Sequence, residues 1–275
     1  LVAEHSGVGI GVGGIATDHP MLATNPDVAR TRNDGARTLR NRILIGIALS
    51  GRFLAGQQIG QGIGIGRQGS GVLNAAKSQK DVRVVAVCDI YRPRREKKKQ
   101  QFGMARDYAD HRELLADKSV DVVHVLTPNV SHAEITVSAF EAGKHVLCEK
   151  PMAATTADAE KMMAAWKKSG KKFTIGYQNR FRPEVSSLHK SCEQGELGEI
   201  YFAKAHAVRR RAVPTWGVFP NKALQGGGPL IDIGTHALDL TLWMMNNYKV
   251  KSVMGNVYYK LGKKPNSANA WGPWD

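Results

Sequence analysis

Cysteine is scarce in this 275-residue chain, and what there is has the wrong spacing for a staple or a metal. Cys88, Cys148 and Cys192 lie far apart, with no pair at the short intervals of a zinc site. That argues against a disulfide scaffold, leaves no metal site to expect, and suits reduced thiols in a cytoplasmic setting. Long apolar runs are missing too. None approaches the roughly 20 residues of a membrane span, so no membrane partner is expected. Residues 40–50 (RNRILIGIALS) have the basic-then-apolar order of a signal peptide, but they stand too far into the chain and the patch is short. Acid is the third deficit. Asp and Glu number 24 against 39 Lys and Arg, a net charge of +15. Such a charge raises the question of nucleic acid. The basic residues are spread out, however, and the densest run, 92–99 (RPRREKKK), falls where a solvated helix start is expected, with no nucleic-acid motif beside it. Specific nucleic-acid binding is therefore not expected, whereas a phosphorylated ligand suits the charge.

What is present is an alternation of strand and helix patterns. Hydrophobic residues make up 42% of the chain, enough for a packed core in one large domain or two ordinary ones. Residues 1–55 are rich in glycine and arginine and keep no period of 2 or 3.6; they are left unassigned, with disorder as one reading. Within them 11–16 (GVGGIA) resembles a dinucleotide loop only weakly, because glycine is common there. Leu1 is not a methionine, and a fragment is expected. A better loop follows: Gly64, Gly66, Arg67, Gln68 and Gly69 lie in a G-x-G-x-x-G run. After it come a short helix pattern at 70–80 and a β-branched run at 82–90 that ends with Asp89, about 20 residues after Gly69, the interval of a ribose-binding acid in a dinucleotide unit. Glycines there allow a tight turn and close approach of pyrophosphate to a helix amino terminus. The segment before the loop, 57–63 (QQIGQGI), reads as a poor buried strand, being polar and glycine-rich. Arg92 and Arg94 could hold a 2′-phosphate, while the carboxylate of Asp89 disfavours one, so NAD is expected with NADP open.

The rhythm continues with helices at 110–115, 131–142 and 156–169, the last capped by Thr155 or Thr156, and strands at 120–126, 145–148 and 172–177. Such alternation predicts a doubly wound parallel sheet. Beyond Arg182 a helix is expected at 183–193, then half-exposed strands at 199–209 and 250–261 with few helices between, which suggests a second domain built on an antiparallel sheet. The end, 271–275 (WGPWD), reads as a loop cut in mid-course.

Two stretches carry candidate chemistry. A short apolar strand, 145–148, delivers Glu149-Lys150-Pro151 at its carboxyl end, where open α/β sheets place their sites. Asp232 and His236 lie four positions apart and share a face of any helix they occupy. A carboxylate near an imidazole can fix its tautomer and raise its basicity. His236 then suits a general base near neutral pH, and Lys150 can stabilise charge on an oxygen that loses its proton. Solvated lysine, helix cap and buried helix histidine are the plain structural alternatives.

Together with 176–181 (GYQNRF) and 226–239 (GGGPLIDIGTHALD), these motifs resemble the glucose–fructose oxidoreductase / inositol dehydrogenase / MocA family of NAD(P)-dependent oxidoreductases, over about residues 58–275. The resemblance implies a Rossmann domain at 56–177 and an α+β substrate domain with a mostly antiparallel sheet at 178–275, with Glu149-Lys150-Pro151 as the hinge between them. It implies a cis Lys150–Pro151 bond, with Lys150 touching substrate near the nicotinamide. Asp232 and His236 match a D-x-x-x-H pair at the substrate. Thr127, Asn129 and His132 match a cofactor-lining T-P-N-x-x-H segment, and Glu149 and Gln178 fall near the nicotinamide. Tyr177 and Arg180 stand among the substrate residues, each with a packing or pairing role as the alternative. The expected activity is hydride transfer between NAD(P) and a sugar, polyol or related small carbohydrate in a homo-oligomer. A glycosidase that uses NAD transiently and a non-catalytic cofactor-binding fragment are the alternatives. Family members run on past the point matching Asp275, so the substrate domain is expected to be incomplete.

Overall fold

The computed structural model describes residues 8–11, 58–79, 82–209, 214 and 218–258. Its centre is a six-stranded parallel sheet in the order β4-β3-β2-β5-β6-β7. The strands are β2 (Gln58–Ile63), β3 (Val82–Cys88), β4 (Arg106–Tyr108), β5 (Val122–Val125), β6 (His145–Cys148) and β7 (Phe173–Ile175). Strand order reverses between β2 and β5, the switch point at which open α/β sheets leave a crevice beyond the strand ends. The connecting helices are α1 (Arg67–Lys77), α2 (Arg92–Phe102), α3 (His111–Ala116), α4 (His132–Glu141) and α5 (Thr156–Ser169).

The local chemistry of these elements follows the sequence. Thr155 caps α5, its hydroxyl accepting from the Asp158 amide at 3.2 Å, and Gly170 at φ 64° ends it. Asp110 caps α3 by accepting from the Arg112 amide at 2.8 Å. The basic helix α2 buries no residue, as its composition requires. Alternate strand residues go to opposite faces. Val123, Val125, Val146 and Cys148 pack with α4 and α5 residues such as Phe140 and Met162, whereas Ile65, Leu73, Val87 and Met104 form a second cluster.

The doubted first strand does form, and it is central. β2 pairs with β3 on one side and β5 on the other, with a register shift between Gly60 and Gln61. Its Gly62 is packed over by neighbours: a Cβ there would stand 3.4 Å from Leu126 Cδ1 and 3.5 Å from Leu73 Cδ2. Large residues elsewhere thus supply the volume that the strand itself lacks.

Beyond the sheet lie α6 (Pro183–Glu193), β8 (Lys204–Ala207), α7 (Lys222–Gln225), a π-helical turn (Leu230–Gly234) and α8 (Thr235–Met245). α6 and α8 pack through the rings of His189 and Trp243, stacked at 3.6 Å. Two expectations need correction. The segment 1–55, left unassigned with disorder as one reading, contributes at least β1 (Val8–Gly11), antiparallel to β8; ladder pairing uses backbone groups and needs no side-chain period. The half-exposed strands shrink to β8 alone, and this β1–β8 ladder is the whole of the antiparallel sheet among the described residues. Residues 250–258 have no regular structure despite their alternation, and Val253 and Met254 are 88% and 90% exposed, with no described strand to pair with. The loop at 12–16, the patch at 40–50 and the segment 259–275 lie outside the described residues. No helix among those described is long and apolar enough to cross a membrane.

Candidate active site

The carboxyl ends of β2, β3, β5, β6 and β7 come level, and the residues that follow them meet. Backbone bonds carry the ladder past the strands: Gly64 N donates to Cys88 O at 2.8 Å, Leu126 N to Ile63 O at 2.8 Å, Glu149 N to Val125 O at 2.9 Å and Gly176 N to Cys148 O at 2.8 Å. The loop after β2 is built from glycine for steric reasons. Gly64 holds φ +83°, and a Cβ there would stand 2.8 Å from Leu126 O; a Cβ at Gly69 would stand 2.5 Å from Gly64 O. Gly66, by contrast, faces open space. It precedes α1 with no side-chain cap and no acid in the first turn, which leaves a helix amino terminus suited to an anion. Of Arg67 and Gln68 only the backbone is described, in the first turn of α1.

Asp89, just past β3, is buried. Its carboxylate accepts from Ile65 N and Tyr91 N, each at 2.9 Å, and from Arg94 Nη1 at 2.9 and 3.0 Å. Asp89 thereby pins the glycine loop through Ile65, and Arg94 is its charge partner. Arg92 points elsewhere, bonding Glu96 one turn along α2 at 2.7 Å. A nucleotide ribose would meet the carboxylate beside Arg94, whose side chain is 40% exposed.

The loop after β5 carries Thr127, Asn129 and His132. Thr127 Oγ1 is buried without a hydrogen-bond partner among the described residues, so it can receive a polar ligand atom. Asn129 donates to Gln225 O at 2.8 Å and joins this loop to α7. The His132 ring, 1% exposed, lies 2.8 Å from Pro151 O and 2.9 Å from Thr127 O. Burial lowers its pKa, and a neutral ring can donate to only one carbonyl. It clamps the loops after β5 and β6 together. The open helix terminus, the glycine cradle and the unpartnered Thr127 hydroxyl fit a dinucleotide.

Lys150 follows β6, and the Lys150–Pro151 bond is cis, as the family resemblance implied. Its ammonium donates to Asp232 O at 2.8 Å and to Asp232 Oδ1 at 3.0 Å, bridging the sheet to the π-helical turn. Two of its three N–H groups are thus taken by one residue. Asp232 Oδ2 also lies 3.7 Å from Arg209 Nη1. The Asp232 carboxylate, weighed as the group that fixes the His236 tautomer, accepts instead from the Lys150 ammonium, whose full charge makes it the stronger donor. His236 is buried and its Nδ1 has no hydrogen-bond partner among the described residues. Burial first, then the charge of Lys150, lowers its pKa, against an opposing pull from Asp232.

Tyr177 meets His236 edge-on, with ring centroids 6.4 Å apart, and its hydroxyl lies 3.2 Å from Thr235 Oγ1. Arg180 is held in a bidentate pair by the buried Asp239, with Nε at 2.8 and 3.1 Å from its oxygens, which is the pairing alternative weighed for it. Gln178 opens a 3₁₀ turn (Gln178–Phe181) and is exposed. Sequence reasoning gave no role to Arg94 as the partner of Asp89, nor to His124, which lies under Glu149.

The glycine positions give a test of the loop. Gly69→Ala is expected to cost about 1–3 kcal/mol in chemical denaturation, since backbone must shift, and to weaken NADH binding at least about tenfold. Gly71 faces open space within the same helix. Gly71→Ala is expected to stabilise by about 0.5–1 kcal/mol. Equal effects at the two sites would contradict the close packing of Gly69 on Gly64.

Comparison with known proteins agrees with this layout. Residues 62–177 match the family model described as "Oxidoreductase family, NAD-binding Rossmann fold", and residues 185–270 match the "GFO/IDH/MocA C-terminal domain". D-glucoside 3-dehydrogenase of Escherichia coli K12 is 41% identical over 198 residues, 72% of this chain and 56% of that protein. Inositol 2-dehydrogenase of Salmonella paratyphi B is 33% identical over 195 residues, 70% of this chain and 56% of that protein. The crystal structure of an aldose–aldose oxidoreductase from Caulobacter crescentus, complexed with glycerol, superposes with a TM-score of 0.61 at 30% identity, covering 69% of this chain and 58% of that one. The chain thus spans little more than half the length of these relatives. With both the cofactor-binding and the C-terminal models matched in order, the chain belongs to the Gfo/Idh/MocA family of oxidoreductases, and it carries that family's NAD-binding Rossmann fold.

Proposed function

We propose that this protein is an NAD(P)-dependent dehydrogenase of a sugar, polyol or related carbohydrate. The observation that carries the reading is the Lys150–Asp232 bridge, which brings an ammonium from the end of β6 to the turn that leads into His236. Residues of the loops after β2, β3 and β5 would hold the dinucleotide: Gly64, Gly66 and Gly69 with the α1 terminus at the pyrophosphate, Asp89 at the ribose and Thr127 nearby. NAD, when bound, supplies the acceptor for a hydride leaving a carbinol carbon. His236, held neutral by burial, takes the hydroxyl proton. The remaining N–H of Lys150 donates to the same oxygen and stabilises the charge that develops there. Asp232 holds the ammonium in place, and Tyr177 packs against the base. Arg180 acts through Asp239 on the shape of this wall. The relatives' names, D-glucoside 3-dehydrogenase and inositol 2-dehydrogenase, support a ring hydroxyl as the site of oxidation. They favour hydride transfer over glycoside cleavage. The division into a cofactor domain at 56–177 and a substrate domain at 178–275, a homo-oligomeric state and a cytoplasmic setting belong to the same reading.

A panel of glucosides, inositols and aldoses, followed by NADH and NADPH absorbance in parallel, tests the proposal. At least one substrate is expected to give dinucleotide reduction with no release of aglycone. Aglycone release, or tight NADH binding with no turnover of any carbohydrate, would overturn it.

A further inference from the structure

His124 stands in the middle of β5, between Gly62 of β2 and Leu147 of β6. Its neighbours on the strand, Val123 and Val125, are fully buried valines. A fourth aliphatic residue, beside Val122, Val123 and Val125, would complete the strand without polar cost. Instead there is an imidazole, 7% exposed, with both nitrogens buried and lacking a hydrogen-bond partner among the described residues. Leaving a buried polar group in that state is costly to the fold. Its nearest charged neighbour is Glu149, whose Oε1 lies 3.5 Å from His124 Nε2, with the two side chains 9% and 13% exposed. Gly176 also packs on this carboxyl group: a Cβ there would stand 3.1 Å from Glu149 Cδ and Oε1. Glu149 therefore lies against both a histidine and a glycine, directly before Lys150.

We propose that His124 is a positioning residue for this site, its imidazole, with Nε2 3.5 Å from Glu149 Oε1, fixing the orientation in which the Glu149 carboxylate stands beside Lys150. The titratable groups coupled to this carboxylate by charge are His124 from β5, His132 from α4, His236 from α8, Lys150, and the buried thiol of Cys148. Burial alone would push the Glu149 carboxyl towards its neutral form; His124 is the largest of the influences that bring it below the usual carboxylate range, with Lys150 next. A charged Glu149 in turn favours the protonated form of His236, the opposite of what burial and Lys150 do there. His124 thus acts on the base through a carboxylate it holds, without touching substrate. The effect on turnover rests on the dehydrogenase reading; the contact itself does not.

The experiment follows the titration of Glu149 in the whole chain, with glutamate labelled at its carboxyl carbon and the signal assigned by Glu149→Gln. His124→Leu and His124→Asn both remove the contact, and whichever keeps the wild-type melting temperature carries the test. Its Glu149 midpoint is expected to rise by about one pH unit. Sugar-dependent kcat is expected to fall about tenfold with the KM for NAD within about twofold, the size of one aligned proton-transfer group disturbed but not lost. His124→Gln, which can still donate from its Nε2, restores both within about twofold. A Glu149 midpoint that does not move in a folded variant overturns the proposal. A midpoint that moves as expected while the wild-type chain turns over no carbohydrate upholds the contact and removes the dehydrogenase reading instead.

Discussion

Lys150→Ala is expected to lower sugar-dependent NADH formation by about 10²–10³, the range for removal of one donor aimed at a developing oxyanion. The loss should fall on kcat, with NADH binding changed by no more than about threefold. The reason lies in the geometry. Lys150 reaches across from the end of β6 and spends two N–H groups on Asp232, so its position is fixed before substrate arrives. Its removal also leaves the Asp232 carboxylate without its main partner, at a side chain only 15% exposed. Asp232→Asn keeps the carbonyl oxygen that accepts from Nζ and is expected to be milder, about tenfold. A Lys150→Ala enzyme with wild-type kcat would remove Lys150 from the chemistry.

His236→Ala is expected to cost about 10²–10⁴ in kcat/KM for oxidation, as for a lost general base. The pH profile carries more information than the size of the loss. A base works in its unprotonated form, so activity rises with pH through its pKa. Burial, then Lys150, lowers the pKa of His236 from its ordinary value of 6.5. The acid limb of the wild-type profile should therefore lie below pH 6.5. In Lys150→Ala the like charge is gone, and the limb of the residual activity should move up towards neutral. An acid limb that stays in place in the Lys150 variant, or persists in His236→Ala, would assign the titration to another group.

Elements whose signals are local were legible in the sequence. Thr155 with Asp158, Asp110 before α3 and the glycine that ends α5 are short-range chemistry, and the helices they bound stand where expected. The cofactor loop was found from its spacing to Asp89. The strand leading into it was misjudged because β2 is filled from outside, by Leu126 and Leu73 against Gly62. β4 was missed altogether: three residues, Arg106–Tyr108, at a sheet edge carry no apolar period. Residues 250–258 show the reverse case, an alternating pattern that finds no partner strand among the described residues and stays exposed. In the site, identities were easier to read than pairings. Lys150, Asp232 and His236 were all singled out, yet Asp232 hydrogen-bonds Lys150 and not His236, a contact between residues 82 positions apart. Arg94, weighed with Arg92 only for a 2′-phosphate, pairs with Asp89 from the first turn of α2, while Arg92 bonds Glu96, a division that no spacing rule reveals. His124 was hidden in a β-branched run where it looked like one more core residue.

Tracing a labelled hydrogen tests the central claim most directly. A carbohydrate that reduces NAD in the panel is supplied with deuterium at the carbon that becomes the carbonyl, and the NADH formed is weighed by mass spectrometry. Direct transfer across the Lys150–His236 site predicts NADH heavier by one mass unit, with solvent deuterium contributing none. Unlabelled NADH from the labelled sugar, or label arriving from deuterated water, would contradict hydride transfer at this site.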